Sequence, residues 1–189
     1  MKETLLSTDD TPAPKKADAP QGIGMAVAYD WGLTVQLFVT PLFNLYFGLS
    51  ANAKSLNLNP TLVNVLLFVV LWPMAFVIAL YGNAVRSGRE WARKMQVIAN
   101  ILLSVGGIFS VISLVQGIKS GDYWPVVPTF LLLVISPIIA WRLSRPVTAR
   151  WYKTVTVQEA RRRHGGIWVF FIALWAIVGG ILQALATIK

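Results

Sequence analysis

Two long apolar runs meet at a short basic turn, and no other feature limits the fold of this chain so tightly. Residues 62–85 and 95–118 are mostly apolar, and between them lies RSGREWARK, residues 86–94. Each run exceeds the roughly 20 helical residues that cross a hydrocarbon core. Lipid offers no partner to an open backbone, so such runs cross as helices. The pattern is a membrane hairpin. Arg86, Arg89, Arg93 and Lys94 stand against one Glu90 in the turn, and Lys and Arg in short loops resist translocation, so the turn is expected in the cytoplasm.

Composition agrees with a polytopic membrane protein: of 189 residues 56% are hydrophobic and only 13% are charged, which leaves no room for a separate soluble domain. The net charge of +9 would suggest nucleic acid in a soluble chain. Here the charges sit between spans, so topology and anionic headgroups account for them and no nucleic-acid partner is expected. The absence of cysteine excludes disulfides, thiol catalysis and thiolate metal sites. With His164 as the single histidine, no cofactor or metal is expected.

Five spans are expected, at about 31–50, 61–83, 96–117, 125–143 and 167–188. Residues 1–24 mix charges with prolines and read as a disordered cytoplasmic tail, and KETLLSTDD does not fit a signal peptide. The first span is the weakest, interrupted by Gln36, Pro41 and Asn44, with Asp30 expected to cap its start. Gln36 and Asn44, with Asn64 and Asn100, are expected to hydrogen-bond between helices, the other reading being a polar path. Asn59 and Pro60 read as cap and first position of the second span, which carries Pro73 as a kink and Trp72 as a packing residue. Pro128 and Pro137 lie in the fourth span. The basic segment 144–166 contains RPVTARWY, expected as a short helix on the membrane with Trp151 and Tyr152 in the headgroups. With both basic loops inside, the N-terminus is expected in the cytoplasm and the C-terminus outside.

Small residues mark two expected packing faces. Gly106 and Ser110 form a small-xxx-small pair in the third span, and Ala176, Gly180 and Ala184 repeat at four-residue spacing in the fifth. The segment 105–108, VGGI, recurs at 178–181 in a helix of the same direction, which suggests two parallel hairpins after one extra helix.

Chemistry is sparse. With Asp30 read as a cap, no titratable residue falls mid-span, which counts against a coupled pump. Glu90, Glu159 and His164 read as capping or charge-balancing groups, the alternative being a phosphate-handling site among the arginines. Arg86, Arg89, Arg93, Arg145, Arg150, Arg161, Arg162 and Arg163 are candidate contacts for anionic lipid or for the acidic surface of a partner.

GREWAR at 88–93, the outer turn at 117–124 and LSRPVTARWY at 143–152 resemble a loosely defined set of small bacterial membrane proteins that carry a G-x-x-W-A-R turn. The resemblance spans 81–152, implies a bacterial inner-membrane protein and supplies no activity. The expectation is an all-α bundle of five transmembrane helices, non-enzymatic, serving as an accessory or scaffolding subunit. It would self-associate or pack on other membrane subunits. The alternative is a transporter or channel component for a neutral or hydrophobic solute, with an enzyme acting at the cytoplasmic surface a distant third.

Overall fold

The computed structural model describes residues 20–47 and 59–188. Residues 1–19 of the expected tail, residues 48–50 of the expected first span and most of the loop holding Lys54 lie outside the described residues. All regular structure among the described residues is helical: α1 (Ile23–Phe47), α2 (Pro60–Arg86), α3 (Glu90–Ser120), α4 (Val126–Ser144), α5 (Pro146–Thr154), α6 (Val157–Arg163) and α7 (Ile167–Ile188). Of these, α1, α2, α3, α4 and α7 are long and apolar enough to cross a membrane. Their outward faces carry Val69, Phe76, Ile108, Phe109, Phe170 and Trp175, while Asp30, Gln96, Asn100, Thr129 and Ser136 are buried. A surface more apolar than the interior is stable in lipid and not in water. The chain is a multi-pass membrane protein.

Local sequence explains the ends of the helices. Asn59 Oδ1 accepts the Thr61 N–H at 2.9 Å and Pro60 opens α2, so the orphan donors of the first turn are reduced by one bond and one missing N–H. At the far end of α3, Gly121 takes φ +78° and lets the Asp122 N–H reach back to the Gly117 carbonyl at 2.8 Å. In α4, the segment Leu131–Ile135 between the two prolines widens to a π-helix. Pro137 has no N–H to give, and the Ser136 hydroxyl donates to the Leu131 carbonyl at 3.1 Å.

The first helix departs from expectation. It begins at Ile23, eight residues earlier than the span placed at 31, because Ile23, Ala26 and Val27 are fully buried against the other helices. Asp30 is therefore no cap. It lies about two turns inside α1. α1 packs between α2 and α7, and α3 packs chiefly on α4 rather than on its hairpin partner α2. Between α1 and α2, Asn44 Nδ2 donates to Asn64 Oδ1 at 2.9 Å, and Trp72 stacks on Phe38 with centroids 4.8 Å apart.

Glycines set the closest approaches. A methyl group at Gly180 would fall 2.5 Å from the Gly32 carbonyl oxygen and 2.6 Å from Val35 Cβ, so α7 lies almost backbone to backbone on α1, flanked by buried Ala176 and Ala184. In α3 the close approach is at Gly107, where a methyl group would meet Leu132 Cβ at 2.8 Å. Gly106, the residue expected there, is exposed and has nothing within 4 Å of that position. Ser110 is half-buried and turns its hydroxyl back to the Gly107 carbonyl at 2.6 Å. Gly107 lies on the helical face of buried Asn100, and Gly106 sits about 100° round from Gly107.

Paired substitutions read these faces directly. Gly180→Ala and Gly107→Ala should each cost about 1–3 kcal/mol through overpacking. Gly179→Ala and Gly106→Ala meet open space and should be neutral or stabilising by up to about 1 kcal/mol. Thermal unfolding in detergent measures all four, and equal effects within either pair would refute the assignment of the buried face.

Candidate functional site

The basic end of the bundle is a folded cap. It starts from the turn after α2, where Gly88 takes φ +73° and a methyl group would fall 2.7 Å from Val155 Cγ1. That position needs glycine twice over, for its backbone and for the room under α5 and α6. Above the turn, Tyr152 donates its hydroxyl to the Val85 carbonyl at 3.0 Å. Arg161 Nε reaches Ser87 Oγ at 3.3 Å, and His164 Nδ1 lies 3.3 Å from the Arg86 carbonyl. These bonds satisfy or cover groups that α2 leaves open at its C-terminus.

The expected arginine sites divide. Arg93 is buried, pairs with Glu90 through Nη2–Oε1 at 2.7 Å and Nε–Oε2 at 2.8 Å, and gives Nη1 to the Leu143 carbonyl at 2.9 Å. It clips the end of α4 to the start of α3. Arg93 is therefore corrected from a lipid or partner contact to an internal brace, because both ends of its guanidinium fork are taken inside the fold. Arg86 is half-buried beneath the cap, and Arg163 is half-buried and paired with Glu159 at 2.9 Å. Arg89, Arg145, Arg150, Arg161 and Arg162 are exposed, with Arg145 stacked over Trp141 at 4.6 Å.

Trp151 and Tyr152 also differ from expectation. The short helix α5 forms, but both aromatic side chains are buried in the protein rather than in headgroups. Trp151 packs edge-on to Tyr152 and to His164, and His164 lies against Trp168. Burial raises the Tyr152 phenol above its ordinary value and leaves it a hydrogen-bond donor. Burial likewise lowers the His164 imidazole, partly opposed by its bond to the Arg86 carbonyl, so that it is neutral near pH 7 with Nδ1–H donating.

Glu90, Glu159 and His164 are each engaged with a different neighbour, Arg93, Arg163 and the Arg86 carbonyl. Among the described residues no three His, Cys, Asp or Glu side chains gather where a metal could sit. A second polar group joins Asp30, expected as a cap, to Gln96, which sequence reasoning missed, and to Asn100, which was expected to bond between helices and instead bonds within α3. Gln96 Nε2 donates to Asp30 Oδ1 at 2.8 Å, and Asn100 Nδ2 donates to the Gln96 carbonyl at 2.8 Å. The signal was present in α3, where Arg93, Gln96, Asn100 and Gly107 recur at helical spacing on one face.

The state of His164 gives a signed test. Its folded pKa is depressed, so the unfolded chain takes the proton first as pH falls through about 6.5, and the folded state loses stability there. The wild type should lose thermal stability relative to His164→Gln between neutral pH and about pH 5. A difference that does not change with pH would mean that His164 is not held neutral by the cap.

No family model, no curated protein and no solved structure matches this chain, so its function is argued from its own geometry.

Proposed function

We propose that the chain is an accessory or scaffolding subunit of the bacterial inner membrane, with its N-terminus in the cytoplasm, and that it works by packing rather than by catalysis. The observation that carries this reading is the cap. It is a packed platform whose inward side chains Arg93, Tyr152 and His164 bond to carbonyls at the ends of α2 and α4, while Arg89, Arg145, Arg150, Arg161 and Arg162 are exposed. Cations in that setting suit anionic headgroups or the acidic surface of a neighbouring subunit. The orientation rests on the same charges, since Lys and Arg retain short loops in the cytoplasm. A second reading, a transporter component, is favoured by Asp30, Gln96 and Asn100 in the interior, because polar groups at membrane depth often mark solute or ion paths.

Two measurements test this. The chain has no cysteine, so single cysteines at exposed Gln158 and Ser120 report sidedness without background. An impermeant thiol reagent on intact cells should modify the Ser120→Cys chain and spare the Gln158→Cys chain, and the reverse result inverts the topology. Arg150, Arg161 and Arg162 together should contribute about 3 kcal/mol at an anionic surface, at about 1 kcal/mol each, an attraction that weakens with salt. Replacing all three with Gln should strip bound phosphatidylglycerol and cardiolipin, or a co-purifying membrane subunit, from the protein in mild detergent. Unchanged lipids and partners with correct topology would leave the arginines as topology signals and remove the basis of the scaffolding role.

A further inference from the structure

Asp30 is 4% exposed, Gln96 2% and Asn100 fully buried, where α1, α2 and α3 meet. Asp30 Oδ1 receives the Gln96 amide, but Asp30 Oδ2 has no hydrogen-bond partner, nor have Gln96 Oε1 and Asn100 Oδ1. These are three shielded acceptors with no donor among the described residues. An unmatched acceptor buried away from water is destabilising, and more so when it carries charge. Among the described residues no Lys, Arg or His makes an ion pair with the carboxylate; the ion pairs described belong to Glu90 and Glu159. Exchanging the oxygen and nitrogen of the Gln96 amide does not help, because its oxygen would then face Asp30 Oδ1 and again require a hydrogen between them. Either way the group is short of a donor.

We propose that the Asp30 carboxyl is an exchangeable site for a monovalent cation, a proton or a sodium ion, supported by Gln96 and Asn100. A proton would sit on Asp30 Oδ2 and turn that oxygen into the missing donor. A sodium ion would instead take the carboxylate and amide oxygens as ligands, which suits a hard cation. The surroundings leave the carboxyl as the group that titrates. Tyr29 on its own helix, Tyr81 on α2 and Tyr152 on α5 are close enough to feel its charge, and phenols ordinarily ionise only near about pH 10. α7 carries no titratable residue within Ile167–Ile188. Arg142 of α4 packs on Gly22, eight residues or about 12 Å along α1 from Asp30. On α3, Glu90 and Arg93 are paired with each other, and Lys94 is exposed 4.0 Å from Glu90. The inference goes beyond the scaffolding role and does not depend on it, since the site would exist with or without partners.

The test uses the full chain in lipid vesicles. Dicyclohexylcarbodiimide, an apolar reagent, condenses with protonated carboxyls in apolar surroundings, and peptide mapping should find the adduct on Asp30. Its yield should fall roughly tenfold per pH unit above the midpoint of the site. Infrared spectra should show a carboxyl C=O band that fades over the same range and is missing in Asp30→Asn. Protection by sodium but not choline at fixed pH assigns the ion as a ligand; no sodium effect with the same pH dependence assigns a proton alone. If Asp30→Asn does not fold, Asp30→Glu serves instead, since it should move the band rather than remove it. Adducts confined to Asp122 or Glu159, with no Asp30-dependent band and no sodium effect, would overturn the proposal. So would an Asp30 band that neither pH nor sodium alters.

Discussion

A helix that carries a carboxyl, two threonines, a glutamine and an asparagine can lie in a membrane only if other helices screen it from lipid, and that constraint on α1 organises this protein. Hydrocarbon supplies no hydrogen-bond partners, so the polar groups of α1 must find theirs inside. Gln96 meets Asp30 from α3, Asn64 meets Asn44 from α2, and Thr34 and Thr40 turn back on carbonyls of their own helix. α7 covers α1 by coming close at Gly180, which is possible only where neither helix has a side chain to hold the backbones apart. The low hydropathy that makes the first span look weakest is a consequence of its position. Its polar side meets protein, while Phe38, Leu42 and Leu45 remain exposed.

The same fact marks how much the sequence could reveal. The five long helices were legible, since each must offer lipid a run of apolar side chains, and lipid imposes that demand locally along the chain. So were the Asn59–Pro60 start of α2 and a short helix at Pro146–Thr154, which depend on neighbours in sequence. Pairings between distant segments were not legible. Asp30 before an apolar run fits a helix cap, and only the burial of Ile23 and Val27 extends the helix past it. Trp151 and Tyr152 fit an interfacial pair, and only the Val85 carbonyl 67 residues away gives Tyr152 a reason to turn inward. Arg93 looks like any cation of a basic turn until Leu143 is placed beside it.

The two VGGI segments are used alike. In each, the second glycine, Gly107 or Gly180, receives a neighbouring helix, and the first, Gly106 or Gly179, has open space beside it. The helices they receive differ: Gly107 meets Leu132 of α4 and Gly180 meets Gly32 and Val35 of α1. A common packing device therefore serves two different contacts. Either duplication or the general value of glycine for close helix approach produces that pattern.

The cap and the interior are joined through few atoms. Tyr152 closes the turn by holding the Val85 carbonyl, and it also feels the charges of Arg93 and of Asp30. Arg93 in turn fixes the end of α4 through Leu143, and Gln96, less than one turn further along α3, reaches Asp30. Arg93 and Gln96 lie on one face of α3, so any displacement of that helix would disturb both contacts together.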